Sequence, residues 1–184
     1  MPTKISGLPA HILLVHLVIV LVPVAAALVI VAGVWPAARR WLNWLPALAA
    51  LAALICVPIT TNAGHWLEDH LTGTVTAAIA HHAALGEQML PWTIALFVAS
   101  LVVWALARAE GLRTMAVGRG ARGSGLSAAD VGRKRSTRGG RLNGRLVKLV
   151  VAVIAIVAAV GAIQQVYRTG EAGSRAVWSG SFRG

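Results

Sequence analysis

Four long runs of apolar residues dominate this sequence and limit what the chain can fold into. They cover residues 12–35, 44–60, 89–107 and 147–163. An α-helix needs about 20 predominantly apolar residues to cross the hydrocarbon core of a bilayer. Helices also satisfy their own backbone hydrogen bonds, which lipid requires. We therefore expect an all-α, integral membrane four-helix bundle that forms a single transmembrane domain over residues 1–184.

The composition agrees with a membrane location. Apolar residues make up 57% of the 184 residues and charged residues only 12%, whereas a soluble domain carries about 25% charged residues. The first apolar run is longer than the roughly 7–15 residues of a cleaved signal peptide, and only Lys4 precedes it. We therefore expect this run to be retained as a membrane-spanning helix.

The distribution of basic residues predicts the orientation of the chain. The loop from Arg108 to Lys148 carries eleven of the 17 Lys and Arg residues, and the loop between the first two runs carries Arg39 and Arg40. The opposite side of the membrane has four. Because Lys and Arg concentrate in cytoplasmic loops, we expect both of these loops to be cytoplasmic and both termini to be extracytoplasmic.

The long basic loop is rich in Gly, Ser and Arg, a composition typical of disorder over about residues 109–145. Residues 118–123 match the pattern GxGxxG, but no strand precedes them, so no dinucleotide site is expected. The run 133–138 could bind anionic lipid, or present Ser136 or Thr137 to a kinase. We favour a solvated segment that sets the topology, and we do not expect nucleic acid as a partner.

All six histidines fall on the predicted outer half of the protein. His11 and His16 lie on the first span, with His16 about 7.5 Å deeper along the helix. His82 belongs to a helix predicted in the outer loop and shares an apolar stripe with Gly86, whereas His81 points away. A glycine on that stripe would allow close approach of another backbone or of a flat ligand.

Histidines on facing helices favour a haem hypothesis, because two neutral imidazoles can bind the iron of haem b from opposite sides. The candidate ligands are His16, His82 and His11, with His16 and His82 as the first pair considered. The positions of these two residues relative to the membrane disfavour their binding one haem. His82 stands roughly 10 Å outside the third span, whereas His16 lies within the first span. Alternatively, His16 is hydrogen-bonded to Gln164 or Gln165 within the bundle, or carries protons.

Other chemistry has weaker signals. A zinc site from His65, Asp69 and His70 is disfavoured, because His70 is five residues from His65 and points elsewhere on a helix. The sequence therefore does not indicate which metal, if any, the protein binds. The sequence contains no GxSxG, P-loop or HExxH pattern, and Cys56 lacks an evident activating neighbour. We do not expect an enzyme.

Three passages of the sequence resemble one bacterial membrane family. Residues 7–16 read Gly-Leu-Pro-Ala-His-Ile-Leu-Leu-Val-His, which is similar to the opening segment Gly-Leu-Pro-x-His-Pro-x-x-Val-His of that family. Residues 82–87 read His-Ala-Ala-Leu-Gly-Glu and resemble a His-Ala-x-Leu-Gly-acidic segment of its actinobacterial members. Residues 166–178 resemble their C-terminal signature. The family is catalogued as domain of unknown function 2231.

The resemblance implies a four-helix bacterial inner-membrane protein with no settled activity. It places His11, His16 and His82 at motif positions of the family. Two positions depart from the pattern, because Ile12 stands where the family has proline and Glu171 stands where a histidine or another polar residue is expected. The resemblance therefore gives no ligand in the C-terminal tail.

These observations leave three functional hypotheses. The first is a multi-pass inner-membrane protein that binds haem b through outer-face histidines, for electron transfer or redox sensing. The second is a structural or accessory subunit of a membrane complex, whose histidines are satisfied in packing. The third is a proton or small-solute pathway with His16 as the relay. In each case the expected partners are the lipid bilayer and either other membrane subunits or further copies of the chain.

Overall fold

The fold is described by a computed structural model, which covers residues 4–5, 8–70, 76–124 and 138–178. A two-residue antiparallel strand pairing comes first, and all other regular structure in these ranges is helical. The elements in chain order are β1 Lys4–Ile5, β2 Leu8–Pro9, α1 Ala10–Val34, α2 Pro36–Leu42, α3 Leu45–Asp69, α4 Ala77–Glu87, α5 Met89–Ser124 and α6 Arg138–Trp178.

Four helical stretches within the described ranges are long and apolar enough to cross a bilayer. They are Ala10–Val34, Leu45–Asp69, Ala77–Leu112 and Gly144–Trp178. The third stretch joins α4 to α5, because Gln88 between them keeps right-handed helical backbone angles. The chain is therefore a multi-pass, all-α membrane bundle, and the prediction from the apolar runs is confirmed.

Small residues line the contacts between the long helices. α1 packs against α3 and α6, and α5 packs against the same two helices, so that the four surround a common core. The fully buried alanines of this core are Ala25, Ala26, Ala50, Ala53, Ala155, Ala159 and Ala162. Small side chains let helix backbones approach closely, and the resulting van der Waals contact holds helices together in lipid. Large apolar side chains such as Val20, Ile55 and Val160 lie exposed on the outside of the bundle.

One aromatic side chain fills the gap between α5 and α6. The indole of Trp92 on α5 lies against Gly161 of α6, where a Cβ atom would overlap the ring. Gly161 itself is buried. The absence of a side chain at Gly161 therefore makes room for a large ring between the two helices.

Arg39 on α2 is charged and yet only 5% exposed. Its Nε donates a hydrogen bond to the carbonyl of Ala32, and its Nη2 donates one to the carbonyl of Gly33, both at 2.8 Å. These carbonyls belong to the last turn of α1, where the helix itself provides no amide for them. Positive charge is also favourable at the C-terminal end of a helix. Arg39 therefore caps α1 and holds α2 against it.

The described parts of the basic loop, residues 109–124 and 138–145, are more helical than their composition predicts, and we call them the basic segment. α5 and α6 include residues 109–124 and 138–145, so the expectation of disorder was wrong for both. Once a span has formed a helix, each further residue adds one hydrogen bond without a new nucleation cost, and Ala, Leu, Met and Arg favour such extension. Residues 125–137, which include most of the basic run with Ser136 and Thr137, lie outside the described residues.

The helices also continue beyond the apolar runs at one end of the bundle. α3 reaches Asp69 rather than ending near residue 60, and α6 reaches Trp178 rather than ending near residue 163. Together with α4 and the first turn of α1, these extensions form what we call the histidine end of the bundle. The opposite end, which carries Arg39 and the basic segment, is called the basic end.

Candidate functional site

Two half-buried histidines from distant parts of the sequence meet at the histidine end. His11 lies in the first turn of α1, and His82 lies in the middle of α4. Their ring centroids are 6.4 Å apart, and the ring planes are nearly perpendicular at 81°. The two imidazoles are therefore close neighbours and are not stacked.

The ring of His11 is fixed by α3. Its Nδ1 lies 3.0 Å from the carbonyl oxygen of Thr60. Because a carbonyl only accepts hydrogen bonds, Nδ1 carries the proton, and in the neutral ring Nε2 then has a free lone pair. The ring also packs on Gly64, where a Cβ atom would come within 2.9 Å of the His11 Cε1 atom. We call the Thr60 carbonyl together with Gly64 the α3 seat.

The ring of His82 is fixed by α6 in the same way. Its Nδ1 donates to the carbonyl oxygen of Thr169 at 2.9 Å. A Cβ atom at Gly173 would come within 2.9 Å of the His82 Cε1 atom. We call the Thr169 carbonyl together with Gly173 the α6 seat. Both neutral histidines therefore have the same tautomer, with the proton on Nδ1 and the lone pair on Nε2.

Two further hydrogen bonds hold α4 against α6. The Nε2 of Gln165 donates to the carbonyl of Leu85 at 2.9 Å, and the Oγ1 of Thr169 donates to the same carbonyl at 3.3 Å. Gln165 is 3% exposed and Leu85 is 4% exposed, so these bonds lie in the interior. They position the helix that carries His82, whereas the side chain of His81 is exposed, as the apolar stripe predicted.

His16 does not take the place that the sequence predicted for it. Its side chain is exposed, and its Nδ1 lies 2.6 Å from the carbonyl of Ile12 on its own helix. Among the described residues no hydrogen bond joins His16 to Gln164 or Gln165, and the amide nitrogen of Gln165 bonds to the carbonyl of Leu85. His82 meets His11, which stands about 7.5 Å nearer the histidine end than His16. The difference in depth that disfavoured the pair of His16 and His82 therefore disappears.

The remaining histidines make separate local contacts. His65 on α3 lies 3.3 Å from the carboxylate of Glu87 at the end of α4. His70 stacks on Trp66 with ring centroids 4.1 Å apart and bonds to its carbonyl. Within the described ranges, no group of three or more His, Cys, Asp or Glu residues is placed to hold a metal ion. The zinc site considered for His65, Asp69 and His70 gains no support from this arrangement.

Gly86 has a different environment from the one expected of it. A Cβ atom at Gly86 would meet no described atom within 4 Å, so no other backbone approaches this glycine. The close approaches at the histidine end occur instead at Gly64 and Gly173, which receive the histidine rings.

The distance between the two ring centroids is compatible with a metal centre bound from both sides. Two imidazoles that ligate one metal through Nε2 from opposite directions, each at about 2.0–2.1 Å, have ring centroids roughly 6.3 Å apart. The observed separation is 6.4 Å. Metal-binding histidines usually donate their other ring N–H to a carbonyl or carboxylate, which fixes the tautomer. Both Nδ1 atoms here make such a bond.

The residues that fix the rings were not identified from the sequence. The two threonines act through backbone carbonyls, and the two glycines act by lacking a side chain, so none of them carries a chemical signature. A repeated pattern does mark them, because Val-x-x-Thr-x-x-Ala-Gly occurs at residues 57–64 and again at residues 166–173. This repeat is the sequence feature from which the four residues could have been identified.

Comparisons with known proteins identify no relative of this chain. No family model matches the sequence, and neither the curated proteins nor the solved structures contain a match. Membership of the family catalogued as domain of unknown function 2231 therefore stays a prediction from the three sequence passages.

Proposed function

We propose that the chain binds haem b between His11 and His82 and serves in electron transfer or redox sensing at a membrane surface. The observation that carries this proposal is the pair of Nδ1 hydrogen bonds to backbone carbonyls, which leaves two Nε2 lone pairs on neighbouring rings. Two neutral imidazoles are a common axial pair for haem iron. His11 thus replaces His16 in the pair that the sequence first indicated.

The number of available ligands favours haem over a bare metal ion. A structural zinc ion takes four ligands and a catalytic one takes three plus water, whereas this site offers two imidazoles. Haem brings its own four equatorial nitrogens and leaves two opposite positions for protein ligands. When bound, haem would supply one-electron chemistry, and the two histidines would hold and orient it.

The hydrogen bonds behind the rings would also influence the electronic state of a bound iron. An Nδ1–H bonded to a carbonyl makes the imidazole a more basic ligand through Nε2, and a more basic axial ligand favours the oxidised metal. Both histidines would have this property, because Thr60 and Thr169 each present a backbone carbonyl to an Nδ1 atom. We therefore expect a reduction potential in the lower part of the range for bis-histidine haem.

The proton or solute pathway has less support. It requires His16 in the interior of the bundle, and the side chain lies on the exposed face of α1 and bonds to its own helix. The accessory-subunit hypothesis is the stronger alternative, because a histidine ring bonded to a carbonyl and packed on a glycine also stabilises a fold without any ligand.

The experiment is a reduced-minus-oxidised visible spectrum of the detergent-purified protein, expressed with added haem precursor. We expect the sharp bands of a low-spin haem in the wild-type chain. His11→Ala and His82→Ala should each remove those bands, whereas His81→Ala and His16→Ala, at exposed positions, should keep them. A flat spectrum from folded, haem-supplemented protein would reject haem binding and leave the accessory role as the better account.

We also propose that the protein resides in a bacterial inner membrane with the histidine end outside, as a member of the family catalogued as domain of unknown function 2231. The basic end carries most of the Lys and Arg residues, which favours a cytoplasmic location. Cys56→Ala removes the single cysteine and permits a labelling test in intact cells. Glu171→Cys should react with a membrane-impermeant maleimide before lysis, and Arg145→Cys only after it. The reverse pattern would mean the opposite orientation.

A further inference from the structure

The two seats share a sequence pattern as well as a geometry. Residues 57–64 read Val-Pro-Ile-Thr-Thr-Asn-Ala-Gly, and residues 166–173 read Val-Tyr-Arg-Thr-Gly-Glu-Ala-Gly. Val, Thr, Ala and Gly occupy the same four positions in both. In each copy the threonine carbonyl accepts from a histidine Nδ1, and the glycine four residues later lies under that ring. Four residues are about one helical turn, so the two groups lie on one face.

The elements around the two seats are arranged in the same order. His11 lies on α1 and contacts α3, the next long helix of the chain. His82 lies on α4, which continues into α5, and contacts α6, again the next long helix. His11 and Thr60 are 49 residues apart, whereas His82 and Thr169 are 87 apart. The second interval is longer because it contains the basic segment.

We infer that the bundle consists of two copies of one helical hairpin, α1–α3 and α4–α6, each of which supplies one imidazole on its own seat. Consecutive spans alternate in direction, so the two histidine-bearing helices run the same way and the copies are related by an approximate twofold axis along the bundle. Repeats of this kind occur in membrane proteins. Gly64 and Gly173 are then equivalent positioning residues, each of which makes room for one imidazole ring.

This arrangement narrows the class of ligand, in a step that rests on the proposed function. A pseudo-symmetric pair of identical donors fits a ligand whose two opposite faces are chemically equivalent toward nitrogen donors. A metalloporphyrin has that property, because its metal presents the same open position on each face. The inference about the two seats does not need the ligand and is tested separately below.

Double-mutant cycles test the seats without any ligand. Gly64→Ala should lower the midpoint of thermal unfolding by up to roughly 4 °C in the wild-type chain, because the cost of displacing the His11 ring is partly offset by the helix preference of alanine. In the His11→Ala background the same change should be neutral or stabilising, since the ring is gone and alanine favours helix. Gly173→Ala should behave in the same way with His82→Ala.

Two controls separate positioning from general damage. Gly86→Ala, at a site with open space, should not lower the midpoint in any background. The crossed pair of Gly64→Ala with His82→Ala should show much weaker coupling than either pair within one seat, because those residues belong to different seats. If Gly64→Ala fails to fold alone, recovery of folding in the double variant with His11→Ala shows the same coupling. Additive effects within each seat, or coupling in one seat only, would overturn the inference.

A ligand readout then extends the test to positioning. If the wild-type protein holds haem, Gly64→Ala and Gly173→Ala should each reduce the low-spin fraction to a similar degree, with Gly86→Ala as the unchanged control. A loss confined to one seat would overturn the equivalence of the two. If the wild-type protein holds no haem, the proposed function fails, and the double-mutant cycles still decide whether the two seats exist.

Discussion

Replacing Gly161 with alanine should disturb the bundle strongly, because the space beside Gly161 is already filled. A Cβ atom at this position would overlap the Cζ3, Cε3 and Cη2 atoms of Trp92. These atoms belong to a rigid ring on α5, so the ring has to change its rotamer or push α5 away from α6. Gly161 lies in the buried part of α6, where neither movement is free.

The size of the effect follows from two opposing contributions. Overpacking a filled interior costs about 1–3 kcal/mol, whereas Gly→Ala in a helix gains about 0.8–1.0 kcal/mol. Because the overlap involves the body of the indole, the upper part of the overpacking range applies. We therefore expect Gly161→Ala to lower the free energy of unfolding by roughly 1–2 kcal/mol. For a chain of this size the midpoint of thermal unfolding then falls by roughly 2–8 °C.

The assay is thermal unfolding in detergent, followed by far-UV circular dichroism. Gly170→Ala is the matched control on the same helix, because a Cβ atom there meets no described atom within 4 Å, and it should leave the midpoint unchanged or raise it. Trp92→Leu in the Gly161→Ala background should recover most of the loss. Equal midpoints for the two alanine variants, or no recovery with Trp92→Leu, would refute the packing explanation.

Two more predictions concern polar groups in the interior. Arg39→Ala should lower the free energy of unfolding by about 2–4 kcal/mol, because it leaves two carbonyls of α1 without a donor, whereas Arg40→Ala, at an exposed position, should change it by less than about 0.5 kcal/mol. Equal losses in thermal unfolding would contradict the capping role of Arg39. Gln165→Leu should speed amide exchange in α4 by up to about tenfold, because one donor to Leu85 is lost. Gln164→Leu, at an exposed position, should leave exchange in α4 unchanged, and the same acceleration in both variants would contradict this role for Gln165.

The membrane architecture could be predicted from the sequence because the length of an apolar run can be read from consecutive residues, without knowledge of their contacts. The stripe that includes His82 was also readable, since helical periodicity alone separates it from His81. The partner of His82 was not readable in the same way. Two histidines of the first span were candidates, and the helical rise argued only against a simple pairing of His82 with His16. The structure brings His82 next to His11 instead of the partner first considered.

The extent of the helices could not be predicted for a different reason. Composition described the region after Arg108 as too polar and too rich in glycine to fold. A prediction from composition ignores the fact that a helix already formed in the membrane can extend outward without a new nucleation cost. The same applies at the histidine end, where polar residues after Thr60 and after Ile163 continue α3 and α6.

The position of the two histidines and their seats along the chain has a consequence for biogenesis. His11 enters the membrane with the first helix, but the α6 seat ends at Gly173, within the last helix. A ribosome has therefore synthesised α1 to α5 and most of α6 before the second imidazole can be fixed. A cofactor held by both imidazoles would complete its binding only after α6 has been inserted, at the side of the membrane that the histidine end faces. Delivery to that side, rather than attachment during synthesis, would then determine how much of the protein becomes functional.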